Sequence, residues 1–515
     1  MYPTLKEIRS LAHGGYSFIP VSIELPSDTL TPVSAVLRLQ MTANTRAFLL
    51  ESADGGEQVG RYSFLGIDPF AKLTSINNSV TYTPLDTDSL SKQAFNFEQK
   101  HNENPFEALG RCFAQFKSPR VNGLPPFLGG AVGYLSYDSI AHLEEVPLPG
   151  HGPAGIDASL MFFKTVIAFD RLKHRVYLVT HLEPDAGEID KQYKAAEEVL
   201  HQLKHKLFTP AENEGPLDIP LDQFGGIDPV AVSSLIGEER FCDSVKQVKK
   251  YIRAGDIFQC VLSDRFTFDM QSDPLTIYRI LRMINPSPYL YYLNLGDGEN
   301  LLGSSPEMLV RATNGVIETC PIAGTRPRGK TDKEDRKFER DLLASVKEKA
   351  EHLMLVDLGR NDIGRVSRPG TVNVKEFMTV TRYSHVMHLV SLVEGKLRRG
   401  LSAWDALGAC FPAGTLSGAP KIRAMEIISE LETEKRGVYG GAVICHDFSG
   451  NLNSCITIRS LYSHQGKGYI QAGAGLVADS RPVKEYEEVI NKAKAMRIAV
   501  AIAERVGRSG ASDYR

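Results

Sequence analysis

Apolar and polar positions change places along this chain in two registers, one of strand length and one of helical period. Up to about Leu207, short apolar runs dominate: Phe48-Leu49-Leu50, Tyr62 to Leu65 and Gly129 to Tyr134 each read as a strand. Val166 to Phe169 and Val176 to Thr180 flank the polar segment Asp170 to Arg175, which predicts a hairpin. Glu188 to Lys206 carries charge at a 3.6-residue period, as a surface helix does. Asp185, just after Pro184, stands three residues before Glu188, the spacing of a capping box. The stretch Thr209 to Asp222 holds Pro210, Pro216 and Pro220 with Glu212, Glu214 and Asp218, and has little periodicity. It reads as a linker or long loop, and it places a domain boundary near residue 225, separating 1–225 from 226–515.

The second segment alternates longer elements. Phe241 to Arg253 predicts a helix stopped by Gly255, and Ile257 to Phe268 a strand. Phe338 to Val356 reads as one long amphipathic helix ending before Gly359. Pro420 to Leu431 is a helix with proline in its first turn. Gly440 to Cys445 and Leu452 to Tyr462 read as paired strands around Phe448-Ser449-Gly450-Asn451. A last helix begins near Ser480, a suitable N-cap, and runs to about Arg505.

Composition narrows the picture. At 515 residues the chain exceeds one ordinary core, and 42% apolar with 23% charged residues is the balance of a globular protein. A formal net charge of -3 provides no global basic field for nucleic acid or acidic membranes, so an anionic ligand must be caught by a local constellation. The seven cysteines are scattered and none forms a CxxC, which argues against a disulfide framework or a zinc site and for a reducing, cytoplasmic setting. The first residues are too polar for a signal peptide, and no apolar run approaches a membrane span.

Four features carry candidate chemistry. Glu348 and Glu351 are three apart on a predicted helix, and Glu485 and Glu488 repeat that spacing on the last one. Acids so placed could give an all-oxygen Mg²⁺ site, or they could be solvated faces paired with Lys347, Lys349, Lys484 or Lys492. Spacing does not decide between these. Gly414 to Lys421 is a glycine-rich turn entering a helix, yet it lacks the GxxxxGK spacing of a phosphate loop. Its amides suit a carboxylate, while the glycines alone would also suit a tight turn. Gly473-Ala474-Gly475 allows close backbone approach or a simple bulge. His388 sits in an apolar run, where core histidines are common.

In their order along residues 236 to 500, these segments closely resemble the chorismate-utilising enzymes. The resemblance rests on Gly255-Asp256-Ile257-Phe258-Gln259, Ser304 to Glu307, Pro321 to Thr325, Glu351-His352, Asp357 to Asp362, His388 to Ser391, Gly414 to Lys421, Ile458-Arg459 and Glu485 to Lys492. It implies an α+β fold: two large, mostly antiparallel sheets packed as a sandwich with helices outside. It also implies that Glu351 and Glu488 bind Mg²⁺ with Glu348 and Glu485 in support, and that the ion holds the ring carboxylate of chorismate. Tyr439 and Arg459 match positions that grip the enolpyruvyl carboxylate, Gly473, Gly475 and Lys492 match further carboxylate contacts, and Thr415 matches a hydroxyl that touches the ligand. Glu307 matches the general acid that protonates the departing ring hydroxyl, and His388 a residue tied to the later proton transfer. Family members that add water carry a lysine base where this chain has Gln259, which points to ammonia as nucleophile. Others form a covalent adduct through the lysine of Pro-Ile-Lys-Gly-Thr, where this chain has Ala323.

The expectation is therefore a Mg²⁺-dependent, anthranilate-forming member of the family. It would aminate chorismate to aminodeoxyisochorismate and then eliminate pyruvate, the first step of tryptophan biosynthesis. The alternatives are an enzyme that stops at aminodeoxyisochorismate, an aminodeoxychorismate synthase, and a non-catalytic sensor of chorismate or tryptophan. The chain shows no GxCxG-type elbow, so the resemblance implies a separate glutamine amidotransferase subunit as ammonia source and hence a hetero-oligomer. In the first segment, Glu51, Ser52 and Arg61 resemble the family's elements for feedback inhibition by tryptophan, with Pro286, Ser287 and Tyr289 completing that pocket.

Overall fold

Strands from both ends of the chain interleave in a computed structural model, which describes all residues except 42–44, 54–59, 86–96, 102, 151, 153–154, 185–187, 212–214, 216, 218, 220–225, 383–385 and 513–515, and the side chains of 507–512. Among the described residues the first sheet has 12 strands. It runs from Ile19–Pro26 through Arg175–Leu182, Val166–Asp170, Tyr62–Ile67 and Ala47–Glu51, all from the first segment. It continues without a break through Tyr289–Gly296, Glu299–Ser305, Ser460–His464, Lys467–Leu476 and Gln259–Asp269. The seam is the antiparallel pairing of Ala47–Glu51 with Tyr289–Gly296, which sets Leu50 opposite Tyr291 and Glu51 opposite Leu290. The second sheet, with 11 strands among the described residues, is mixed in the same way, joining Gly130–Leu135 to Ala442–Asp447.

The alternation of side chains across each strand produces three apolar layers. Phe48, Tyr291, Leu293 and Leu301 from the first sheet meet Val132, Tyr134, Met161, Phe163 and Val443 from the second in the central layer. Helices cover the outer face of the first sheet, where Phe241, Tyr278, Ile427, Val489 and Met496 pack on strand residues such as Leu262 and Leu302. The outer face of the second sheet is covered by Phe106, Leu109, Val356, Trp404 and Leu407. This is the sandwich with outer helices that the resemblance implies. No described helix is long and apolar enough to cross a membrane.

Two predicted elements are divided. The helix read over Phe338 to Val356 is a pair, Asp332–Ala344 and Val346–Gly364, parted at Ser345. Ser345 is extended (φ −68°, ψ 111°), and its hydroxyl accepts the amide of Glu348, so it ends one helix and caps the next. The strand read over Leu452 to Tyr462 splits into Leu452–Ile456 in the second sheet and Ser460–His464 in the first. Between them Arg459 takes a left-handed backbone, φ +52°. Elsewhere the predicted elements stand close to where the pattern puts them: Gly237–Ala254 ends at Gly255 (φ +86°), and the hairpin Val166–Asp170 with Arg175–Leu182 pairs in register. The last helix is Pro482–Ser512, and Ser480 accepts the amide of Val477. The helix Ile189–Phe208 begins after Glu188, which has no side-chain cap; Asp185 of the predicted capping box, and the boundary near 225, lie outside the described residues.

Candidate active site

The crossover between the two sheets places Arg459 beside Tyr439, Glu488 and His388. The side chain is half-buried, and burial lowers its pKa, opposed by the neighbouring Tyr439 and Glu488. Glu488, on the last helix, thus acts on Arg459 and also on Glu351, from the helix Val346–Gly364. The Glu351 pKa is raised by burial first, then by the charge of Glu348 and more weakly of Glu488, with Lys347 and Lys492 opposing. Acids from two distant helices therefore share one field.

Lys492 ties this acidic side to the rest. Its ammonium pairs with Glu488 at 2.7 Å and donates to Gly473 O at 2.9 Å, and its charge reaches Glu307. Glu307 accepts a 2.8 Å hydrogen bond from the Thr415 hydroxyl. Burial pushes the Glu307 carboxyl up to about 7, against the Thr415 bond and the Lys492 charge, which both lower it. A cavity of about 40 Å³ behind it is lined by Thr415, Cys320, Asp362 and Cys410, among others. Lys421, at the end of the glycine loop, pairs with Asp362 at 2.8 Å and so fastens that loop to the helix that bears Glu351.

Close backbone approach explains the glycines. A β-carbon on Gly473 would fall 2.7 Å from the Tyr439 hydroxyl, and one on Gly475 would fall 3.0 Å from Gln259 Nε2. Gln259 is buried, and its Oε1 finds no hydrogen-bond partner among the described residues. His388 Nδ1 lies 3.0 Å from Gly324 O and 3.1 Å from the Thr325 hydroxyl. A carbonyl only accepts, so Nδ1 carries the proton and Nε2 is the acceptor of the neutral ring. Burial lowers the His388 pKa, with the Arg459 charge acting in the same direction, so the neutral form is favoured.

Glu307, Thr415, Lys492, Gly473, Tyr439, Arg459, His388, Glu488, Glu351 and Glu348 are joined through this web of bonds, close approaches and fields, while Gln259 and Gly475 approach each other on neighbouring strands. Glu485 is half-buried on the same helix turn as Glu488. Glu348 is engaged by Arg326 at 3.1 Å, a partner that sequence reasoning did not foresee. Among the described residues no three His, Cys, Asp or Glu side chains form a ready-made metal cluster. The residues still fit Mg²⁺, which is commonly held by one or two carboxylates with its other positions taken by water and substrate oxygens. Glu351 and Glu488 repel each other and would be relieved by such a cation.

The predicted regulatory residues lie in a different place. A cavity of about 560 Å³ between the sheets is lined by Glu51, Ser52, Arg61 and Tyr289, together with Phe127, Arg311 and Cys455. Pro286 and Ser287 immediately precede Pro288, which lines it. Glu51 is held by Tyr278 (2.7 Å) and Arg282 (2.9 Å), Arg61 forks onto Asp170, and the Arg171 side chain donates to Ser52 O.

Known proteins with this architecture are informative. Residues 45–497 match the family described as chorismate binding enzyme. Anthranilate synthase component 1 of Acetivibrio thermocellus is 46% identical over 506 residues, covering 98% of this chain and 99% of that one. The component 1 of Pseudomonas aeruginosa is 43% identical over 503 residues, with 97% and 99% covered. The crystal structure of anthranilate synthase component I from Streptococcus pneumoniae superposes with a TM-score of 0.74 at 36% identity, over 92% of this chain and 99% of that one. The menaquinone-specific isochorismate synthase of Escherichia coli shares the fold at a TM-score of 0.68 and 16% identity, covering 96% and 98%. With a family match over residues 45–497 and relatives 43–46% identical over nearly the whole chain, this chain belongs to the chorismate binding enzyme family, beside component 1 of anthranilate synthase.

Proposed function

We propose that this chain aminates chorismate with ammonia and eliminates pyruvate to form anthranilate, the first committed step toward tryptophan. The observation that carries the reading is that Lys492 pairs with Glu488 at 2.7 Å and donates to Gly473 O at 2.9 Å, while its charge reaches Glu307 and Glu351 and that of Glu488 reaches Glu351 and Arg459. Bound between Glu351 and Glu488, Mg²⁺ would neutralise the ring carboxylate and orient the substrate. Arg459 and Tyr439 take the enolpyruvyl carboxylate, for which a planar guanidinium is suited. Hydroxide is a poor leaving group, so Glu307, a carboxyl still protonated near neutral pH, gives its proton to the departing ring oxygen. The unpartnered Gln259 Oε1 is an acceptor for an N–H of the incoming ammonia, and a glutamine amide cannot deprotonate water. Neutral His388 then takes a ring proton as the enolpyruvyl group leaves and the ring becomes aromatic.

The same reading assigns glutamine hydrolysis to a separate amidotransferase subunit, makes tryptophan a feedback inhibitor at the inter-sheet cavity and puts the enzyme in the cytoplasm. The test is purified chain with chorismate, ammonium and Mg²⁺, following anthranilate fluorescence and pyruvate together. Equimolar anthranilate and pyruvate support the reading. An amino product without pyruvate, or turnover of glutamine by the chain alone, overturns it.

A further inference from the structure

We propose that Arg436 is a positioning residue of this site, fixing the loop of Thr415, the strand of Gln259 and the approach to Tyr439 in one arrangement that aligns Glu307. This rests on the reading of Glu307 as the acid. Arg436 is 2% exposed and belongs to none of the groups expected to touch substrate. Its guanidinium forks onto Glu432, with Nε and Nη2 each 2.7 Å from a carboxylate oxygen. Nη1 donates to Leu416 O and Nη2 also to Val261 O, both at 2.7 Å.

Each of those acceptors is one step from the chemistry. Leu416 follows Thr415, whose hydroxyl holds Glu307. Val261 lies opposite Gly475 in the sheet and two residues beyond Gln259. Glu432 also accepts the amide and hydroxyl of Ser263, which lies opposite Gly473. The Arg436 and Gly437 amides are in turn held by Asp138, and the guanidinium stands 5.7 Å from the centre of the Tyr439 ring. The loop is anchored further on through Ser417 O and Ala419 O, but the carbonyl beside Thr415 is the one that Arg436 takes.

A buried arginine–glutamate pair gains little net stability, because desolvation offsets most of the attraction. What a hydrophobic pair of the same volume cannot do is aim donors at two chosen carbonyls. A lysine has donors, but its single ammonium lacks the planar fork that reaches Glu432, Leu416 O and Val261 O together. The function of Arg436 is therefore separable from its contribution to folding.

The experiment compares wild type, Arg436→Lys, the double variant Arg436→Met with Glu432→Leu, and Thr415→Val. Thermal unfolding reports folded fraction, and kcat, KM for chorismate and the pH profile are measured at fixed unprotonated ammonia. The groups that face Glu307 are Thr415 from the loop, Lys492 from the last helix and Cys320, with Asp362 and Cys410 across the small cavity. Because the Thr415 bond lowers the Glu307 pKa, loosening it moves the alkaline limb of kcat to higher pH. The expected result is folded Arg436 variants whose kcat falls about a hundredfold, the loss typical of a 1 Å misplacement, with a smaller change in KM and a limb displaced as in Thr415→Val. Wild-type kcat and limb in a folded variant, or a rate that falls only with the folded fraction while the limb stays put, overturn the proposal. Wild type that forms no anthranilate overturns instead the functional reading beneath it.

Discussion

A carboxyl group donates a proton near neutral pH only where its charged form is disfavoured, and Glu307 meets that condition through burial. With a pKa of about 7, the acid is present below that pH and is lost as pH rises through it, so turnover at constant unprotonated ammonia should fall on the alkaline side with a midpoint near 7. Glu307→Gln should reduce kcat by about 10² to 10⁴ and abolish that limb, measured by initial rates of fluorescence. Arg459→Lys keeps charge but loses the fork, and should raise KM for chorismate roughly tenfold or more in a steady-state titration. The roles of these residues were legible only through ordered motifs. Glu307 has no local signature, and the left-handed backbone at Arg459 is marked by neither glycine nor proline. The Glu432–Arg436 pair has the i,i+4 spacing of an ordinary surface pair, so nothing in sequence announced its burial.

Among the elements, the helix pair around Ser345 has the most direct bearing on the proposed Mg²⁺ site. Ser345-Val346-Lys347-Glu348 has the Ser-x-x-Glu spacing of a capping signal, and the apolar period that ran on across it concealed the break. The break puts Glu348 and Glu351 into the opening turns of a new helix, where Glu348 is taken up by Arg326 and Glu351 faces the field of Glu488. Glu351→Gln should therefore raise the Mg²⁺ concentration for half-maximal rate by at least about tenfold, and should weaken any stabilisation of the fold by Mg²⁺ in thermal unfolding. An unchanged Mg²⁺ titration would remove Glu351 from the ligand set. The division of Leu452 to Tyr462 had no comparable signal. A run of strand-forming residues cannot show that its two ends enter different sheets, because that depends on partners far away in sequence.

Across the whole molecule, the central apolar layer joins the sheets. Phe48 is fully buried there against Phe163, ring centroids 4.7 Å apart, so Phe48→Ala should cost about 3–5 kcal/mol in denaturant unfolding. The inter-sheet cavity opens from the same layer. If tryptophan binds there, it should inhibit wild type, while Ser52→Phe should remain active and insensitive, as read from inhibition curves. The sandwich with outer helices followed from the family resemblance; alternation supplied individual strands but not which strands were neighbours.

The seam between Ala47–Glu51 and Tyr289–Gly296 bears on how such sequences can be recombined. Among the described residues, those before 225 supply five of the 12 strands of one sheet and four of the 11 of the other, so a crossover placed in the proline-rich stretch would transplant a large part of both sheets at once. A chimera between relatives would have to inherit matched side chains along two seams simultaneously, and the inter-sheet cavity would be assembled from both parents. Sensitivity to an inhibitor could not then be donated as a detachable module.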